Sequence, residues 1–199
     1  MGEVQKGVQM TLSQFLFLVR SDLHRYHGRR SMGLFAHDFF RNAGFKYSFL
    51  MRISAYLKER RLLWPLFIVA RFFGHRYTFK YGIEIPYTMR IGSGLFIGHF
   101  GGIVVSGFAV IGNNCNISHG VTLGQGNRGP RRGYPVIGHH VYIGPGAKVI
   151  GKVHVGDNVA IGANCVVTCD IPDGAVVVGV PGRVISYLGS EGYVEHTDY

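Results

Sequence analysis

The sequence predicts a mainly β protein: a stacked parallel β-helix built from hexapeptide repeats, preceded by an α-helical segment. Three observations carry this. First, Ile137, Ile143, Val149, Val155, Ile161 and Val167 fall at an unbroken spacing of six. Neither a helical period nor plain alternation produces such a series, whereas short β-solenoid repeats do. Second, Gly follows the aliphatic at Gly138, Gly144, Gly156 and Gly162, and a compact residue (Val141, Ala147, Val153, Val159, Cys165) precedes each later aliphatic by two. The aliphatic fills the interior, the compact residue shares the inner face, and Gly permits the bend at a corner. Three hexads make one triangular coil, and no coil buries its face alone, so stacking supplies the core. Third, charge and aromatics are divided. Residues 1–80 hold 14 Lys+Arg against 4 Asp+Glu, while 81–199 hold 7 and 7. Of 26 aromatic residues, 16 lie in the first 80. Two physically different segments therefore meet near Tyr81.

In order along the chain, Met1–Met10 is polar and expected to fray, without the apolar run of a signal peptide. Thr11–Tyr26 reads as a helix capped by Thr11, with Leu12, Phe15, Leu16, Val19 and Leu23 at helical spacing. His27–Ser31 is a basic turn. Further helices are expected over Phe35–Arg41, Tyr47–Arg60 and Leu63–Phe73, the last with Pro65 in its first turn, and Gly74–Phe79 as a connector. Leu62–Phe73 is the most apolar window, and it is well short of the roughly 20 residues a bilayer span needs. The solenoid begins with Ile85, Ile91, Ile97 and Ile103. Its register then jumps by two and resumes through Val105, Ile111, Ile117 and Leu123. Gly124–Val136, with four Gly, two Pro and three Arg, breaks the count and must leave the solenoid as an exposed loop. Asp170–Gly174 closes the last coil, Ala175–Val180 is a strand, and Ser186–Tyr199 reads as a loose tail. The expected organisation is thus 1–80 helical, 81–185 β-helix with a protruding loop at 124–136, and 186–199 tail.

Composition narrows the function. The net charge of +10 suits an anionic partner or a membrane surface, or equally a helical cap with a solvated basic face. No recognised nucleic-acid module is present. Cys115 and Cys165 occupy compact inward slots, where Cys acts as a small hydrophobe. Cys165 and Cys169 lack metal-site spacing, so neither disulfide nor zinc is expected, and the chain reads as intracellular. The adjacent His139 and His140 point to opposite faces if they lie in a strand and are expected to be solvated.

The ordered motifs resemble one family. Gly98-His99-Phe100-Gly101-Gly102-Ile103-Val104-Val105, then Val121-Thr122-Leu123-Gly124, a loop, Ile143-Gly144-Pro145-Gly146-Ala147-Lys148, and Val178-Gly179-Val180-Pro181-Gly182-Arg183 are similar to the serine acetyltransferase branch of the hexapeptide acyltransferases. The similarity runs from about Phe35 to about Ile185. It implies a left-handed β-helix, a homotrimer, and acetyl-CoA as donor, lying in the groove between neighbouring solenoids, with no metal. A thioester is already activated, so the chemical task is to make an alcohol nucleophilic near neutral pH. An imidazole suits that task, and a carboxylate behind it would fix its tautomer. His99 matches the family's catalytic His; its bland alternative is a polar residue on an exposed turn. Glu84 falls fifteen residues earlier, where the family carries the partner Asp. For the coenzyme, the resemblance implies contacts at Gly124, Pro145, Ala163, Thr168 and Arg183, although corner geometry alone explains some of the small residues.

Two departures bear on the acceptor. The family's Asp before the catalytic His is Gly98 here, and the second active-site His, before Pro in the loop, is Tyr134. A zwitterionic amino acid needs fixed charges, whereas a sugar hydroxyl asks for neutral partners and stacking surfaces. Tyr134 offers these, and Arg132 in the same loop is suited to an anionic group. The sequence therefore favours a cytoplasmic O-acetyltransferase acting on a saccharide hydroxyl of the capsule, exopolysaccharide or O-antigen type. A lipid-linked acceptor would account for residues 1–80 touching the inner face of the membrane. The alternative is serine O-acetylation, with Asp22 as one substitute for the missing Asp. A non-catalytic hexapeptide solenoid is the remaining reading.

Overall fold

A computed structural model describes residues 10–199; the polar stretch expected to fray lies, except for Met10, outside the described residues. Four helices come first. They are α1 (Leu12–His27), α2 (Met32–Arg41), α3 (Ala43–Leu57) and α4 (Trp64–Tyr81), with a short 3-10 turn at Arg61–Leu63 before the last. Thr11 caps α1 and completes a capping box with Gln14, while Ser31 and Asn42 cap α2 and α3. The expected connector at Gly74–Phe79 is instead helix. One Gly inside a helix costs only about 1 kcal/mol, and α4 runs on to Gly82, whose left-handed conformation (φ 60°) ends it.

The β region is a three-walled prism of parallel strands. The first wall stacks Ile83–Glu84, Ile103–Val105, Thr122–Gly124, Lys148–Ile150 and Val166–Val167. The second stacks Arg90–Ile91, Val110–Ile111, Val136–Ile137 and His154–Val155. The third stacks Phe96–Ile97, Asn116–Ile117, Tyr142–Ile143, Ala160–Ile161 and Val176–Val178, and is closed by the antiparallel Arg183–Ser186. The coils form a left-handed parallel β-helix of hexapeptide repeats. Residues of the six-residue series meet one another across rungs: Ile117 pairs with Ile143, Ile143 with Ile161, Leu123 with Val149 and Val149 with Val167. All are 0–1% exposed, as are the compact Val141, Ala147, Val159 and Cys165. Burying each large aliphatic is worth about 1.5–3 kcal/mol, which makes this column the stability of the prism.

The register jump is real, but it falls one corner earlier than the series suggested. Ile83 pairs with Ile103 and Ile97 with Ile117, both offsets of 20, whereas Val105 pairs with Leu123 at an offset of 18. Ile103 therefore occupies a compact slot, and the two extra residues lie in the Gly98–Gly102 corner that carries His99.

The tail is not loose. Tyr193 stacks on Tyr142 at 4.4 Å between ring centroids. Asn116 donates to the Tyr193 carbonyl (2.7 Å), Ser190 donates to the His140 carbonyl (2.6 Å), and the Tyr199 hydroxyl bonds Ser93 and Asn114, each at 2.8 Å. Asp198 reaches His24 of α1 at 2.9 Å. Polarity suggested solvation for this segment, yet its polar groups are spent on the third wall and α1.

Candidate active site

His99 is held by what precedes it. The strand Phe96–Ile97 ends under α1 and α3. The Tyr26 hydroxyl donates to the Ile97 carbonyl (3.1 Å) and accepts from the Ile97 amide (3.2 Å). Burial pushes the Tyr26 phenol well above its ordinary pKa, so it stays a neutral donor. Gly44, in the first turn of α3, lies so close that a Cβ would sit 2.1 Å from the Ile97 carbonyl oxygen. Gly101 and Gly102 then turn the chain at φ 110° and 65°, angles that L side chains disfavour. His99 thus projects, exposed, from a corner fixed on both sides.

The same edge, between the third and first walls, continues upward through His119, Pro145 and Ala163. Gly120 donates to the Gly101 carbonyl, Gly146 to His119 and Asn164 to Pro145. The His99 and His119 rings stand 6.1 Å apart at 75°. Arg183 continues this edge at the end of the prism, just beyond Gly182, whose amide bonds the Val166 carbonyl (2.8 Å). Of the residues expected to hold the coenzyme, Pro145, Ala163 and Arg183 therefore share the edge of His99. Gly124 and Thr168 line the far side of the first wall, each one residue past its inward aliphatic. Glu84 is exposed on the outer face of that wall, in register with Val104. Among the described residues, neither Glu84 nor His99 makes a side-chain hydrogen bond or ion pair.

Tyr134 and Arg132 do not meet His99 within the protomer. The 124–136 loop folds back as a small hairpin, Gly126 against Gly133, at the edge between the first and second walls. Tyr134 packs on Phe108 at 4.9 Å, Arg131 pairs with Asp170 at 2.9 Å, and Arg132 is exposed. Asp22 is equally unavailable to a ligand. It is 1% exposed and bound by Arg52 through Nε and Nη2, both at 3.1 Å. His139 and His140 sit at a corner rather than in a strand, with His140 at φ 55°. The Asn113 amide bonds His139 Nδ1, and burial lowers the His140 pKa. Among the described residues, no group of three His, Cys, Asp or Glu is gathered as a metal would require.

Sequence patterns did not single out what lies across from His99. A pocket opens between its corner and α2, lined by His37, Asp38, Arg41 and the first turn of α3 on one side and by Gly98, His99 and Phe100 on the other. Asp38 is 2% exposed, and its carboxylate is shared by His27 Nε2 (2.5 Å) and His37 Nδ1 (3.2 Å). A charged, buried residue in an apolar helix was the available signal.

Residues 134–169 match the family described as bacterial transferase hexapeptide (six repeats). A serine acetyltransferase of Synechococcus elongatus is 38% identical over 146 residues, which are 73% of this chain and 58% of that protein. One from Helicobacter pylori strain J99 is 40% identical over 135 residues, 68% of this chain and 77% of the relative. The chain belongs to the serine acetyltransferase family. Among solved serine acetyltransferases, one from Brucella abortus in complex with coenzyme A superposes with a TM-score of 0.75 at 30% identity, over 89% of this chain and 70% of that one. The present chain spans under two thirds of the length of the Synechococcus serine acetyltransferase. The saccharide acceptor expected from Gly98 and Tyr134 is overturned by these relatives, which are serine acetyltransferases. Off the solenoid the expectation weighed only Asp22, which is buried against Arg52, whereas α2 lines the pocket beside His99 with His37, Asp38 and Arg41.

Proposed function

We propose that this chain is an acetyl-CoA-dependent serine O-acetyltransferase. The observation that carries the reading is the fixed, exposed His99 on the edge shared by Pro145 and Ala163, in a chain 38–40% identical to serine acetyltransferases. His99 takes the proton of the serine hydroxyl as its oxygen attacks the thioester carbonyl carbon. The carbon–sulfur bond then breaks, and the departing thiolate takes that proton from the imidazolium. O-acetylserine and coenzyme A are the products. Gly124, Pro145, Ala163, Thr168 and Arg183 contact the coenzyme, and Glu84, which makes no hydrogen bond to His99 in this structure, is the carboxylate that would orient it. A homotrimer fits the split between the His99 edge and the 124–136 loop, since a neighbour's Tyr134 and Arg132 would then complete the groove. The reaction is placed in the cytoplasm, where acetyl-CoA is available.

No helix among the described residues is long and apolar enough to cross a membrane. Peripheral contact rests on the exposed Leu62, Trp64, Leu66 and Phe72 with Arg61 and Arg71 alongside; flotation with anionic liposomes tests it. The central test is thiol release from acetyl-CoA with L-serine. Turnover by the wild-type chain that is lost in His99→Ala, with coenzyme binding retained, is expected. Absence of serine turnover in the wild type refutes the reading.

A further inference from the structure

Gly98 and Tyr134 are uncharged where the family carries Asp and His, so the β-helix offers no acidic group beside His99 for the ammonium of a zwitterionic acceptor. The pocket opposite His99 supplies charges from α2. We propose that Arg41 holds the carboxylate of the acceptor amino acid and that the His37–Asp38 pair holds its ammonium. The proposal deepens the serine reading and rests on it.

The geometry separates the two roles. Arg41 lies in the last turn of α2, exposed, and among the described residues its guanidinium has no carboxylate partner. It stands beside the first turn of α3, whose outermost amides also favour negative charge. A guanidinium meets a carboxylate in bidentate fashion, so this corner of the pocket is the anionic subsite. Asp38 is the opposite case. Its carboxylate is buried and bridges His27 and His37. The bond from His37 Nδ1 to Asp38 Oδ1 sets the ring's tautomer and leaves Nε2 as an acceptor. His37 is half exposed, with 56% of its side chain accessible. An imidazole acceptor with a carboxylate behind it suits an ammonium. His99 faces both subsites from the opposite side of the pocket, so an amino acid held at both ends on α2 has its β-hydroxyl free to meet the base. A neutral sugar would leave Arg41 without an anionic partner and His37 Nε2 without an ammonium donor, which is the specificity this arrangement builds.

The test compares three acceptors by initial rate at saturating acetyl-CoA: L-serine, ethanolamine, which lacks the carboxylate, and 3-hydroxypropionate, which lacks the ammonium. Arg41→Gln should raise KM for serine about tenfold or more, the value of a charge-assisted hydrogen bond, and leave ethanolamine and the KM for acetyl-CoA unchanged. His37→Gln, at an exposed position where folding is not at risk, should weaken serine and spare 3-hydroxypropionate. Asp38→Asn should do the same. Equal losses on all three acceptors, or an unchanged KM for serine in both Arg41→Gln and His37→Gln, overturn the proposal while wild-type serine turnover stands. A wild-type chain that does not acetylate serine overturns the functional reading and this inference together.

Discussion

Replacing Arg52 by Met should detach the helices from the prism, and the cost can be worked from its contacts. Arg52 gives two hydrogen bonds to Asp22, one to the Ile91 carbonyl (2.9 Å) and one to the Gly92 carbonyl (2.6 Å). Asp22 in turn accepts the Leu95 amide (2.8 Å), and Ser21 accepts the Gly94 amide (3.0 Å). This network joins α1 and α3 to the first coil. Removing one partner of a buried ion pair costs about 3–5 kcal/mol, because the other charge is left uncompensated. That is between about a fifth and the whole of a typical domain stability of about 5–15 kcal/mol. The pH dependence gives a second signature. Burial raises the Asp22 pKa, and Arg52 is the largest influence opposing that rise. Without Arg52 the folded-state pKa climbs further. A raised carboxylate pKa favours the folded state below the unfolded value and disfavours it as pH rises through the folded value. The deficit of Arg52→Met should therefore be small near pH 4 and grow toward neutrality. Urea unfolding followed by circular dichroism at several pH values measures this. Adding Asp22→Leu should recover part of the loss by removing the uncompensated charge, while the Leu95 amide and the Ile91 and Gly92 carbonyls stay unpaired. A single variant that loses under 1 kcal/mol, or a double variant no better than the single, would refute the reasoning.

Other expectations are independent of that network. His99→Ala should lower kcat by roughly 10²–10⁴, the usual worth of a general base, with coenzyme binding by calorimetry unchanged. Glu84→Gln should lower kcat about tenfold, as one charge-assisted hydrogen bond would, without altering the KM for acetyl-CoA. Ile143→Ala, in the middle of the column, should cost about 2–5 kcal/mol in urea unfolding. Burial pushes the Cys115 thiol up to about 12 from an ordinary 9.0. A thiol reagent at pH 8 should therefore spare Cys115 in the folded protein and label it in urea. Above pH 9 the unfolded state sheds this proton and the folded state does not, so stability should fall by as much as about 1.4 kcal/mol per pH unit until about pH 12.

The prism was legible because its rule is local. A six-residue period with aliphatic and compact residues in fixed slots identifies the inward face without knowledge of any partner, and Ile137 through Val167 met that rule without a break. Where the slots were chemically degenerate, the reading slipped. Ile103 satisfied the series by count yet fills a compact slot, because an Ile serves in either place and the two added residues at Gly98–Gly102 compensate the spacing. The tail was misread for another reason. Polarity marks solvation only when polar groups lack partners, and those of Ser190, Tyr193 and Tyr199 are found on strands and corners 50 to 106 positions away. No window of sequence displays such pairings.

The acceptor was misread through the same gap between local and spatial proximity. His99 could be found by its motif, because the motif and the corner are one stretch of chain. The charges that discriminate an amino acid from a sugar need only be near His99 in space. Asp38 and Arg41 lie about sixty positions earlier, on a helix whose sequence, Met32–Arg41, holds three Phe, one Leu and one Met among its ten residues. Gly98 and Tyr134 registered as losses because they stand where the family's charges would be, whereas a gain on another element has no motif to announce it. Gly44 links the two. It lets α3 press against Ile97, and α2 ends at Asn42, which caps α3. Replacing Gly44 by Ala would drive a methyl into the Ile97 carbonyl and tilt this assembly away from the corner. It should therefore raise the KM for serine as well as lower stability, while Gly74→Ala in α4, where a Cβ would meet only the end of the Arg71 side chain at 3.7 Å, should leave that KM unchanged. If Gly44→Ala is destabilised and still binds serine normally, α2 is not part of the acceptor site.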